Sequence, residues 1–263
     1  MNNSRYYPLA LEALVELAPE IAAARLDPRR QPAQPTLDNV LGRLGTLPAG
    51  ALFLGMADDE LPVLLNLYDP FPGPLLLISD QKAGKTELLK SLALASARMY
   101  DAEEVQFSVT THAIDDWEKL ESLPHCAGVI PIQESDSREL VSSLYDWAHQ
   151  NGGSQQVVLF LVDGLDKTNE WDETTKGQLR WLLIHGPSHR IWPILTLNST
   201  LIGDAKEWLP LFQTFIYGRI SNSSLADVLT GASRATLGAL REGVQFSMRE
   251  GNRWLRFWIP RLE

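Results

Sequence analysis

Hydrophobic positions in this chain follow two rhythms. Leu11, Leu14, Val15, Ala18, Ile21 and Ala22 recur at helical spacing and predict an amphipathic helix, which Pro28, Pro32 and Pro35 bring to an end. A short helix over Leu37–Leu44 is expected next, closing near Gly45. Ala51–Gly55 and Val63–Tyr68 read as strands on either side of the acidic turn Ala57-Asp58-Asp59-Glu60. From Leu75 onward, unbroken apolar runs alternate with helical patterns. The runs are Leu75–Ile78, Val105–Thr110, Gly128–Ile132, Val157–Val162, Ile194–Leu197 and Thr214–Ile220. Between them lie the helical patterns Lys85–Met99, Ser137–His149, Glu173–His185 and Ser224–Leu229. A strand that is apolar at every position must be covered on both faces, so the expected fold class is α/β, with a mainly parallel central sheet flanked by helices. Val244–Met248 and Trp254–Ile259, joined around Glu250-Gly251-Asn252, predict a C-terminal hairpin. The expected division is residues 1–47 as a short N-terminal helical extension with a proline-rich linker, and 48–263 as the main domain.

Composition narrows the function classes. With 263 residues the chain can bury a large core. No apolar run approaches the roughly 20 residues that span a bilayer. The Ala/Leu-rich stretch from Leu9 to Leu26 is broken by Glu12, Glu16, Glu20 and Arg25. The single cysteine, Cys126, excludes an internal disulfide and suits a reducing cytosol, so a cytoplasmic location is expected. A net charge of −10 argues against free-standing affinity for nucleic acid, which needs clustered Lys and Arg. His185 and His189 are separated by Gly186 and Pro187 and have no third ligand nearby in sequence, so a zinc site is not expected. A G-x-S-x-G nucleophile elbow is absent from the sequence.

The chemistry is concentrated after the apolar run ending at Ile78. Ser79, Asp80, Gln81, Lys82, Ala83, Gly84, Lys85 and Thr86, followed by Glu87, nearly spell the phosphate-loop pattern G-x-x-x-x-G-K-[ST] between a strand and a helix. Such a loop turns backbone N–H groups onto a phosphate, and the following helix adds its positive end. Gly84 lets the backbone approach, Lys85 reaches the outer phosphates, and the Thr86 hydroxyl ligates Mg²⁺. Ser79 stands where the pattern has its first glycine. The expected consequence is weakened binding of ATP, not its loss. A coincidental Gly-Lys-Thr in a strand–turn–helix is the bland alternative.

Val157–Val162 ends in Asp163-Gly164. A carboxylate at such a strand end is what the metal of a phosphate-loop enzyme requires. Many such enzymes carry a glutamate next that polarises the attacking water, whereas Gly164 offers no base. Asp166 is close in sequence, but an offset of two positions need not aim it at the same point. Asn198, ending the run Ile194–Leu197, suits either a sensor of the outer phosphate or the cap of the next turn. Arg219 suits charge stabilisation at a neighbouring subunit's nucleotide, or a plain solvated position. Asp163, Asn198 and Arg219 are therefore the candidate catalytic residues, with Thr86 and Asp163 as the metal ligands.

Taken in order, these residues resemble the FtsK/SpoIIIE/HerA branch of phosphate-loop ATPases, and more narrowly an ATPase module of EccC from type VII secretion. The resemblance rests also on Ala51–Pro62, Glu104–Phe107, Leu123–Val129, Leu161–Gly164 and Gly243–Phe246. It implies a RecA-like P-loop NTPase that binds ATP and Mg²⁺ within a translocation or secretion assembly. The variant positions Ser79 and Gly164 imply weak or absent hydrolysis. Two other outcomes are consistent with the family: an active DNA or protein translocase, and a non-enzymatic platform for a protein partner. The resemblance implies self-association or a protein partner. It also implies DNA, which the charge does not support.

Overall fold

The computed structural model describes residues 34–150, 155–231, 236–250 and 253–262. The helix expected over Leu11–Ala22 lies outside the described residues. From Thr36 onward the chain forms one compact unit, built on ten strands in a single sheet. Helix α1 (Leu37–Leu44) opens the unit. Thr36 accepts from the Asn39 N–H as its cap, and Gly45 follows at φ 67. The helix seats Leu37 and Val40 in the core.

Strands β1 (Ala51–Ala57) and β2 (Pro62–Asn66) form an antiparallel pair around the acidic turn. Then β3 (Leu75–Ser79) leads into α2 (Lys85–Met99), and β4 (Val105–Thr111) into the short α3 (Glu118–Glu121). Strand β5 (Cys126–Pro131) precedes α4 (Ser135–Gln150), and β6 (Val157–Val162) precedes α5 (Glu173–His185). The chain closes with β7 (Ile191–Asn198), β8 (Thr214–Tyr217), α6 (Ser223–Thr230), β9 (Gln245–Glu250) and β10 (Arg253–Trp258).

Across the sheet the order is β2-β1-β10-β9-β8-β3-β7-β6-β4-β5. The six strands from β8 to β5 run parallel to one another. The predicted terminal hairpin is β9–β10, and it joins that parallel core to β1 and β2 through antiparallel pairing. One end of the chain thus completes the sheet begun by the other.

Burial follows the two-residue period of the strands. Leu75 and Leu77 of β3, with Val157, Leu159 and Leu161 of β6, face the core that holds Leu88, Leu89 and Leu92 of α2. Leu76 and Ile78, with Val158, Phe160 and Val162, face the other core, against Leu179, Leu182 and Leu183 of α5. This two-sided packing is why these strands read as unbroken apolar runs. It buries β3, β6 and β7 on both faces, and the loops at their carboxyl ends start from that packed frame.

Candidate functional site

Strands β3, β6 and β7 are neighbours, and their carboxyl ends converge. Ser79 of β3 pairs with Asn198 of β7, and Val162, just before Asp163, pairs with Leu195. This is the switch region where a parallel sheet places ligands.

The loop from Asp80 to Gly84 leaves β3 and turns into α2. Lys82 adopts φ 62 and Gly84 φ 94, so the backbone curls with left-handed residues two apart. Helix α2 starts at Gly84 without a side-chain cap. Its first N–H groups and its positive end therefore face the loop's concavity, an arrangement suited to an anion. Gly84 has a second reason to be glycine. A Cβ there would lie 2.3 Å from the Gly243 Cα, and the Gly243 N–H donates to the Ala83 carbonyl at 3.2 Å. The segment before β9 thus packs directly on the loop.

Lys85 folds back over the loop. Its Nζ donates to the Asp80 carbonyl at 2.8 Å, the Ser79 carbonyl at 3.2 Å and the Ser79 Oγ at 3.4 Å. Burial lowers its pKa below the usual lysine range, while the charges of Asp163, Asp80 and Asp166 pull it back upward. Asp80 is the loop's anchor. Its Oδ1 accepts from Ser199 Oγ at 2.6 Å and its Oδ2 from the Ser221 N–H at 2.7 Å. Burial opposes ionisation of Asp80, but these hydrogen bonds and the Lys85 charge outweigh it and hold the carboxyl below its ordinary range. Gln81, Lys82 and Glu87 are exposed, and Glu87 pairs with Lys90 at 3.0 Å.

Thr86 Oγ1 donates to Asp163 Oδ2 at 2.7 Å. Two hard oxygen donors, one from the first turn of α2 and one from the end of β6, thus meet at one point beside the loop. That donor chemistry fits Mg²⁺. The other carboxylate oxygen, Oδ1, accepts from Thr196 Oγ1 at 2.7 Å. Asp163 is only 4% exposed, and Thr196 gives its second carboxylate oxygen a hydrogen-bond partner. Among the described residues, no cluster of three or more His, Cys, Asp or Glu side chains could hold a metal on its own. A cation here would depend on Thr86 and on a ligand's oxygens.

No protein-family model matches the sequence, and no curated protein matches it. Solved structures do. ATPases 2 and 3 of EssC from Geobacillus thermodenitrificans superpose with a TM-score of 0.69 at 16% identity, over 89% of this chain and 48% of that one. The cytoplasmic domain of the type VII secretion ATPase EccC from Thermomonospora curvata gives 0.65 at 18% identity, over 87% and 32%. The chain has the fold of an EccC-type P-loop ATPase module. The conjugation coupling protein TcpA of pCW3, whose monomer form was solved with ATPγS, gives 0.59 at 14% identity, over 87% and 70%. The chain spans about a third to a half of the EccC and EssC structures it matches. Among the described residues no helix is long and apolar enough to cross a membrane.

Within this EccC-like fold the remaining candidates divide. Asn198 lies beside Ser79 in register, and its Oδ1 accepts from the Thr200 N–H at 3.2 Å and Thr200 Oγ1 at 3.1 Å. It therefore caps the turn Ser199–Leu201 while standing at the mouth of the loop. Arg219 follows β8. Its carbonyl accepts from the Asp80 N–H, and its Nη1 donates to Glu242 Oε1 at 2.5 Å. Arg219 thus links the loop and the tail through a partly exposed ion pair. Serving a neighbour's site would first require releasing Glu242.

Three residues that hold the site's two carboxylates escaped the sequence reading: Thr196 on Asp163, and Ser199 and Ser221 on Asp80. A threonine inside the apolar run of β7 was the one available signal. The two serines carry no motif of their own.

Proposed function

We propose that this chain is an Mg²⁺-ATP-binding module of the EccC/FtsK type, with slow turnover at most, working in the cytoplasm within a translocation or secretion assembly. The observation that carries this reading is the contact between Thr86 Oγ1 and Asp163 Oδ2 at 2.7 Å, set against the uncapped start of α2 and the Lys85 ammonium. In this reading the N–H groups of the loop and Lys85 hold the phosphates. Thr86 and Asp163 would hold Mg²⁺, which would supply neutralisation of phosphate charge. Asp80 holds the loop in shape through Ser199 and Ser221. The fold neighbours support the reading, since EccC and EssC are ATPases and TcpA was solved with ATPγS.

Slow turnover follows from Gly164, which leaves the position after the metal ligand without a side chain. The test is a titration with a fluorescent ATP analogue, with and without Mg²⁺. Saturable, Mg²⁺-enhanced binding that is lost in Lys85→Ala is the expected result. Binding of equal strength in the parent and in Lys85→Ala would overturn it.

A further inference from the structure

Gly164 adopts φ 123 and ψ 74, a backbone conformation that L side chains rarely enter. The missing carboxylate is therefore not just one substitution away, because the strand exits Asp163 along a path that disfavours any side chain. The same path brings another carboxylate back to the vacated space. A Cβ built on Gly164 would lie 3.9 Å from Asp166 Oδ1.

The turn that carries Asp166 is firmly held. Leu165 is fully buried in the core that α5 covers. The Lys167 N–H donates to the Gly164 carbonyl at 3.1 Å, and Thr168 Oγ1 donates to the Leu165 carbonyl at 2.7 Å. The Asp166 side chain is 14% exposed, and its Oδ2 lies 3.6 Å from Lys167 Nζ. Among the described residues, that ion pair is its one polar partner, which leaves Oδ1 free to accept. The Asp166 charge also favours the protonated form of Lys85.

We infer that Asp166 takes the place of the absent glutamate as the general base toward water at this site. The inference rests on the proposed nucleotide-binding reading and goes beyond it by assigning the catalytic residue. In the step, the water oxygen bonds to the γ-phosphorus while the bond from that phosphorus to the bridging oxygen breaks. The bridging oxygen keeps the electron pair on ADP. Asp166 Oδ1 takes the proton from water and later returns it to solvent, and the products are ADP and inorganic phosphate. The aspartate is one methylene shorter than glutamate and shares its charge with Lys167. Both features favour slow turnover over none.

The experiment pairs two readouts on the full chain: binding of a fluorescent ATP analogue, and single-turnover phosphate release from ATP with protein in excess. The expected result for Asp166→Asn is unchanged binding with release reduced about 10²-fold, the lower end of what a general base contributes. Asp166→Glu is expected to retain release. Undiminished release in Asp166→Asn overturns the inference, and so does a parent that binds nucleotide but releases no phosphate above the Lys85→Ala background. Loss of binding together with release also overturns it, by assigning Asp166 to binding. Failure of the parent to bind nucleotide at all is a different outcome, because it removes the underlying reading as well. A thermal melt of each variant shows whether the fold has been kept.

Discussion

Ser79 and Gly218 share one space. Ser79 ends β3 fully buried, and a Cβ built on Gly218 would lie 2.8 Å from the Ser79 Cβ. The serine that breaks the phosphate-loop pattern is therefore matched by a glycine on the chain leaving β8. Ser79 has ordinary extended backbone within β3, so its position does not need glycine's conformational freedom. Its hydroxyl instead gives Lys85 an additional acceptor at 3.4 Å.

This pairing predicts a strong coupling. Gly218→Ala should cost about 1–3 kcal/mol, the usual range for overpacking a closed site. Ser79→Gly in the same chain should return most of it, because the two Cβ atoms compete for one volume. Urea unfolding of the two single variants and the double variant measures this as a cycle. Strictly additive effects would show that the 2.8 Å approach is relieved elsewhere.

Gly164 allows a second prediction. Gly164→Ala and Gly164→Glu should each destabilise the fold by about 1–3 kcal/mol, since both force a Cβ into a sparsely populated backbone region. The Cβ would meet only ordinary contacts, 3.5 Å from Lys167 Cγ, so backbone strain and not collision sets the cost. Gly164→Glu should for the same reason fail to raise phosphate release. A stable Gly164→Glu protein with faster release would refute this account.

The legibility of this fold in its sequence follows the range of the interactions. Continuous runs such as Val157–Val162 and helical patterns such as Lys85–Met99 are local signals, and each appears as an element with those bounds. The parallel core followed from them because a strand buried on both faces has few other homes. The insertion of β9 and β10 between β8 and β1 did not follow, since a hairpin's outer pairing depends on partners far away in sequence. The same holds for the site. Asp80 reaches Ser199 and Ser221 across 119 and 141 residues. Gly84 and Gly243 likewise meet from distant parts of the chain. Asp166 could not be placed from its offset alone, because the turn of Gly164 that redirects it is a matter of φ and ψ.

Thr196 supports a third prediction. From β7 its hydroxyl donates to Asp163 Oδ1 at 2.7 Å, and both residues are buried. Thr196→Val keeps the shape and removes the donor. A buried carboxylate oxygen left without a partner costs about 1–3 kcal/mol. Denaturant unfolding should show that loss. Mg²⁺ dependence of nucleotide binding should persist, because Thr86 still meets Oδ2. A fully stable Thr196→Val protein would mean that the Asp163 oxygen finds another donor.

The lowered pKa of Lys85 makes two pH effects of opposite sign. Burial is its chief cause, so the ammonium is less favoured in the folded protein than in the unfolded chain. Between the folded pKa and the unfolded value of about 10.4, the unfolded chain binds more protons. Stability of the ligand-free protein therefore gains a contribution from Lys85 as pH rises through that window. Phosphate binding runs the other way, because it needs the protonated amine. Affinity for the fluorescent ATP analogue should be level near neutral pH and fall at a pH below that at which an ordinary lysine titrates. Proton uptake on binding should appear in the same window, detectable as a buffer-dependent heat in calorimetry. A Lys85→Arg variant, charged throughout, should lose the affinity limb. Affinity that holds level up to about pH 10.4 in the parent would show that Lys85 does not hold the phosphates.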